Sequence, residues 1–166
     1  MVLNIKRALI CFIEAYILVT VLAVTTSVAY EMVAKPAPTP PGVSALQSPA
    51  FLATVPYHVA IMLVAWPLFA GIYFRRSANY SLEIKERWAL ATFWMFAAIV
   101  VDFVCFVLIK SPYSFTFYEF YIIYQPWISL IYLSIFLSPF IHLFLSSKKK
   151  AREDGKNDRR QSSTLL

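Results

Sequence analysis

The sequence predicts an all-α integral membrane protein, a four-helix transmembrane bundle whose N- and C-termini are both cytoplasmic. The first observation is the composition: 60% of the 166 residues are hydrophobic and 14% are charged, whereas soluble proteins carry roughly 25% charged residues. The second is a set of four apolar segments, each close to the ~20 residues that cross a bilayer core of about 30 Å. The third is the concentration of basic residues on one side of these segments.

The four predicted spans cover residues 8–30, 51–74, 88–109 and 121–145. Between the first two lies a proline-rich segment, Lys35 to Pro49, which favours extended backbone over helix. The next connection is short and polar, and the third is rich in aromatic residues. Residues 148–166 form a basic tail of low hydrophobicity, which we expect to be disordered. The chain therefore divides into a transmembrane domain, 1–147, and a cytoplasmic tail.

The distribution of positive charge predicts the orientation. Thirteen of the fifteen lysines and arginines fall on one side of the spans, and only Lys35 and Lys110 fall on the other. Cytoplasmic loops carry such an excess, so both termini should be cytoplasmic. The net charge of +6 is explained by this topology and predicts no nucleic-acid partner. The plasma membrane is the expected location, with an organelle membrane as the alternative.

The first span has a second interpretation. A basic start, an apolar run and the small residues Ser27-Val28-Ala29 are also typical of a cleaved signal peptide. A signal core is usually about 7–15 residues long, and this run is longer and contains Glu14. We therefore favour a retained first helix.

Four ionisable side chains lie inside the spans. With a rise of about 1.5 Å per residue, His58 and Asp102 each lie roughly 10 Å from the outer edge, and Glu14 and His142 lie roughly 9 Å and 5 Å from the inner edge. Depth thus predicts a candidate intramembrane polar pair, His58 with Asp102, and a second candidate pair, Glu14 with His142. Such pairs either carry a proton or ligand or fix the packing of the helices.

The sequence indicates neither a haem held by both histidines nor a zinc site. The two histidines lie roughly 15–20 Å apart along the membrane normal, too far to ligate one haem from both sides. No convergent set of zinc ligands is recognisable, and no catalytic or nucleotide-binding motif identifies an enzyme. The sequence therefore identifies no cofactor and predicts no metal. An enzyme is the less favoured interpretation.

The segment FTFYEFYIIY, residues 115–124, has aromatic side chains at six of ten positions. Amphipathic rings at the membrane interface explain this density, and a docking surface is the alternative.

Three function classes remain. The favoured one is a small accessory or assembly subunit of a larger membrane complex. The second is an oligomeric, proton-sensitive carrier or channel that uses His58 and Asp102. The third is a membrane enzyme acting on a lipid or quinone, with the same pair as acid and base. Membrane lipids and other membrane subunits, or further copies of the chain, are the expected partners.

Overall fold

Four long helices make up most of the computed structural model, which describes residues 3–75, 84–111 and 114–164. Their bounds are α1, Ile5–Ala34; α2, Pro49–Arg75; α3, Ile84–Asp102; and α4, Trp127–Thr164. A π-helix, Phe103–Leu108, extends α3. All four are long and apolar enough to cross a membrane, and the described residues contain no β-strand. The predicted all-α, multi-pass membrane fold is therefore confirmed.

The helices are arranged around the bundle in the order α1, α2, α4, α3. Two hydrogen bonds link α1 to its neighbour α3: Trp94 Nε1 donates to the Ala8 carbonyl over 2.9 Å, and the Tyr16 hydroxyl donates to Asp102. Both join residues 86 positions apart, so α1 and α3 run parallel and keep a constant register over this stretch. The helices α2 and α4 run in the opposite direction.

The middle of the bundle is packed by aromatic side chains. Trp66 and Trp94 are fully buried, with ring centroids 5.3 Å apart, and Phe12 lies 5.7 Å from Trp66. Small residues such as Ala8 and Ala15 leave room for these rings by letting the backbones approach closely. One aromatic cluster therefore joins α1, α2 and α3.

Proline interrupts the backbone of α4 at Pro139. The missing N–H frees the carbonyl of Ile135, and the hydroxyl of Ser138 donates to that carbonyl over 2.7 Å. The carbonyl of Pro139 itself accepts a hydrogen bond of 2.9 Å from the Arg87 guanidinium. The side chain next to the proline thus satisfies the carbonyl that the proline frees, as neighbouring groups can in a membrane helix, and Arg87 adds a further contact to this turn.

The aromatic segment after α3 folds into the end of the bundle opposite the start of α1, where α2 begins. Phe120 and Tyr124 are buried there, with Phe120 stacked on Phe106 at 5.6 Å and Tyr124 at 5.4 Å from Phe51. Of this segment, Phe117 and Tyr118 are among the exposed side chains. A short π-helix, Glu119–Ile123, and a turn precede α4, which therefore begins six residues later than the predicted fourth span.

The basic tail continues α4 in the structure. The sequence predicts disorder after residue 148, whereas the helix extends to Thr164. Lysine, arginine and glutamate have good helix propensity, so a helix that leaves the membrane can continue through them.

Candidate functional site

Asp102 is the most buried carboxylate of the spans and lies where α3 changes into the π-helix. It accepts hydrogen bonds from the hydroxyls of Tyr16 on α1 and Tyr132 on α4, the second over 3.0 Å. Nearby, the Tyr121 hydroxyl donates to the Ile99 carbonyl over 3.4 Å. Asp102 thus ties three helices together, and hydrogen bonds to a charged acceptor are the stronger kind.

His58 lies in a separate polar cluster between α1 and α2. Its Nε2 is 3.1 Å from the Ser27 hydroxyl, which in turn lies 3.3 Å from the hydroxyl of Thr54. The Thr54 hydroxyl donates over 2.9 Å to the Phe51 carbonyl, within its own helix. Both His58 and Thr54 are buried. This chain of hydrogen bonds holds the last third of α1 to the first third of α2.

The structure does not bring together His58 and Asp102, which were predicted to pair because of their similar depth in the membrane. Among the described residues, no hydrogen bond or ion pair joins them. Their partners on α1, Ser27 and Tyr16, are eleven residues apart, which is about 16 Å along a helix. The depth estimate assumed a common outer edge, but Asp102 is level with Tyr16, eighteen residues before α1 ends at Ala34.

The second predicted pair, Glu14 and His142, is not brought together either. His142 lies against α2: its ring stacks on Phe74 at 5.9 Å, and it approaches Gly71 so closely that an added Cβ would lie 3.0 Å from the ring. Its Nε2 is 3.3 Å from the Ser146 hydroxyl, whereas its Nδ1 is buried and has no hydrogen-bond partner among the described residues.

Glu14 lies on the exposed surface of α1. Within the described part of the chain, no hydrogen bond or ion pair involves its carboxylate. The buried face of α1 is formed by Ala8, Cys11, Phe12, Ala15 and Val19. Glu14 therefore points away from the bundle, within a helix long and apolar enough to cross the membrane.

Three residues that form hydrogen bonds between helices were not predicted as candidates from the sequence: Tyr16, Tyr132 and Arg87. The two tyrosines lie far inside their spans, away from the interfaces that tyrosine prefers, and this position was an available signal. In the sequence, Arg87 is recognisable only as one of the basic residues that predict the orientation. It is buried, its guanidinium carbon lies 4.2 Å from the centroid of the Phe74 ring, and it binds the Pro139 carbonyl.

The end of the bundle where α1 begins is closed by a cluster around Tyr73. Its hydroxyl donates to Glu86 over 2.7 Å and accepts the Asn4 backbone N–H over 3.2 Å. Arg7 lies over the same ring at 5.2 Å and donates to the Ile72 carbonyl over 2.8 Å. These contacts fix the start of α1 to the end of α2 and the start of α3.

No three His, Cys, Asp or Glu side chains of the described residues converge as metal ligands would. Comparisons with known proteins found no matching family model, curated protein or solved structure. The geometry of the polar side chains within the spans is therefore the basis on which function is inferred.

Proposed function

We propose that this protein is a small multi-pass subunit of a larger membrane complex, in which it contacts a neighbouring subunit through α1 and supports assembly. One observation carries the proposal: the carboxylate of Glu14 lies on the outer surface of a membrane-spanning helix. An ionisable group facing hydrocarbon costs from about 3 kcal/mol upward, and such groups nearly always face protein or water.

The contrast with the interior polar groups strengthens the proposal. Asp102 and His58 have hydrogen-bond partners inside the bundle. Glu14 lies seven residues, about 10 Å along the helix, beyond Arg7, and its exposed neighbours at the adjacent turns are Ile10 and Ile17. A protein partner covering this face would remove its apolar surface from lipid and supply a hydrogen-bond donor to the carboxylate.

The proposal includes an orientation with both termini in the cytoplasm of a plasma-membrane protein. Its support is the grouping of basic residues at one end of the bundle, where Arg7 binds the end of α2 and Arg87 binds α4. Reporter fusions at both ends test it. A C-terminal fusion active only outside the cytoplasm would contradict this orientation.

A test of the subunit proposal is photocrosslinking in native membranes. We expect a photoreactive residue at Ile17, beside Glu14, to give a discrete protein adduct, and we expect Glu14→Leu to abolish it. The matched control is Phe96 on α3, which is also exposed and should give only lipid adducts. The proposal would be contradicted by diffuse crosslinking at both positions, or by a protein adduct at Ile17 that persists in the Glu14→Leu variant.

A second candidate is an oligomeric, proton-sensitive carrier, which the Asp102 cluster favours because it places a buried carboxylate between three helices. Proton-coupled flux in proteoliposomes that is lost in Asp102→Asn would support it, and equal flux in the two proteins would oppose it. The enzyme alternative needs His58 and Asp102 to act as one acid–base pair, and their separate clusters do not provide this.

A further inference from the structure

The exposed face of α1 has the spacing of a helix-packing seam. Much of α1 is exposed, and opposite its buried side one stripe of exposed residues runs from Ile10 at intervals of four, three, four, three and four. This is the heptad spacing by which two helices pack side by side. We call this set the α1 seam: Ile10, Glu14, Ile17, Val21, Val24 and Val28. All but Glu14 are β-branched and apolar.

The same spacing recurs on the buried side of α1. Ala8, Phe12, Ala15 and Val19 follow at intervals of four, three and four, and they pack α1 into its own bundle. At about 100° per residue, the α1 seam lies on the opposite side of the helix from this buried set. One side of α1 therefore packs within the bundle, and the other has the pattern to pack against one further helix.

We infer that the α1 seam binds a single transmembrane helix of another protein, and that this helix carries a lysine, arginine or histidine at the depth of Glu14. The inference rests on the proposed function and specifies the chemistry of the partner. A single polar residue in an otherwise apolar seam fixes the register of the two helices. A basic side chain complements the Glu14 carboxylate, which the apolar surroundings leave without solvation.

A second copy of this chain fits the seam less well. Two copies related by a twofold axis along the membrane normal would pack α1 parallel to α1, and such an interface places each residue near its own counterpart. Glu14 would then face the Glu14 of the second copy. Like charges placed opposite each other disfavour a pairing, so the seam selects against self-association and for a basic partner.

The test uses the full-length protein in phosphatidylcholine vesicles with synthetic, labelled leucine-rich transmembrane helices. One helix carries a single lysine seven residues beyond its basic flank, matching the distance from Arg7 to Glu14, and the control helix carries leucine there. Energy transfer measures association. We expect the lysine helix to bind about tenfold more tightly than the control, from the strength of polar contacts in membranes, and Glu14→Leu should remove the difference.

A matched variant moves the carboxylate without changing the composition. The α1–α3 offset of 86 residues places Val100, which is also exposed, level with Glu14. The double variant Glu14→Val with Val100→Glu therefore keeps a carboxylate at the same depth but on another helix. We expect it to elute as the wild type does in size-exclusion chromatography and to lose the tenfold preference at the seam.

Three results would overturn the inference. Equal binding of the lysine and leucine helices would show that the seam faces lipid or a neutral helix. Self-association of the wild type that Glu14→Leu weakens would identify a second copy as the occupant. Retention of the preference in the swapped variant would locate the contact elsewhere. If native crosslinks at Ile17 persist while the lysine preference fails, the subunit proposal stands and the basic partner is excluded.

Discussion

Removing the two tyrosine hydroxyls that bind Asp102 should destabilise the bundle more than additively. Each of Tyr16→Phe and Tyr132→Phe deletes one hydrogen bond to a buried carboxylate and leaves the ring in place. Hydrogen bonds to charged groups contribute about 1.5–3 kcal/mol, but those within membranes average about 0.6 kcal/mol with a maximum near 1.7. We therefore expect a loss of about 1 kcal/mol from each single variant.

The double variant should lose about 3 kcal/mol, because either single variant leaves Asp102 one tyrosine donor and the double variant leaves it neither. The excess of about 1 kcal/mol is the coupling energy that a double-mutant cycle isolates. Unfolding in mixed micelles with increasing dodecyl sulfate measures it. Tyr57→Phe, at an exposed tyrosine on α2, is the control and should change nothing. Additive losses within 0.3 kcal/mol would refute the shared-acceptor reasoning, since independent sites add within roughly that margin.

Three further predictions concern single contacts. Gly71→Ala places a Cβ 3.0 Å from the His142 ring and should cost about 1–3 kcal/mol of unfolding free energy, a loss that His142→Ala in the same chain should relieve. Ser138→Ala leaves the carbonyl freed by the following proline unpaired and should cost about 1–3 kcal/mol in the same unfolding assay, whereas Ser138→Thr should retain most of the stability. Hydrogen bonds from the backbone N–H and hydroxyl of Thr116 lower the pKa of Glu119. These bonds therefore stabilise the chain above the ordinary glutamate pKa, and their contribution is lost as the pH falls through the lowered pKa. Thr116→Val should raise the Glu119 pKa in an NMR titration, and an unchanged pKa would contradict this.

The membrane fold was predictable because its cause is local. The length and hydropathy of each apolar segment decide whether it spans a bilayer, and both are read directly from the sequence. The start of the fourth span was not predictable in this way, because an apolar aromatic run such as residues 119–126 can form either a helix or a buried turn. Here Phe120 and Tyr124 are buried, and Phe120 stacks on Phe106 of the π-helix that extends α3, so tertiary packing decides the outcome.

The polar pairs were not predictable from depth, because depth needs the relative heights of the helices. Span ends give those heights only when all helices reach the same plane. The third span ends at Leu108, six residues after Asp102, whereas α1 continues for eighteen residues after Tyr16, which is level with Asp102. An estimate that counts from residue 109 as if both helices reached one plane therefore places Asp102 too close to His58. Helix rotation was also unknown, and it decides that Asp102 faces Tyr16 and Tyr132 while Glu14 faces outward.

We expect these two acidic residues to separate folding from the proposed assembly. Asp102 has its donors inside the bundle, so its replacement should lower the stability of the isolated protein. Glu14 has an exposed side chain at nearly the same height, so Glu14→Leu should leave that stability unchanged or raise it while weakening the proposed complex. If one carboxylate served both purposes, each variant would affect both measurements. The opposite directions of the two side chains therefore make unfolding in micelles and crosslinking in native membranes independent tests of the same bundle.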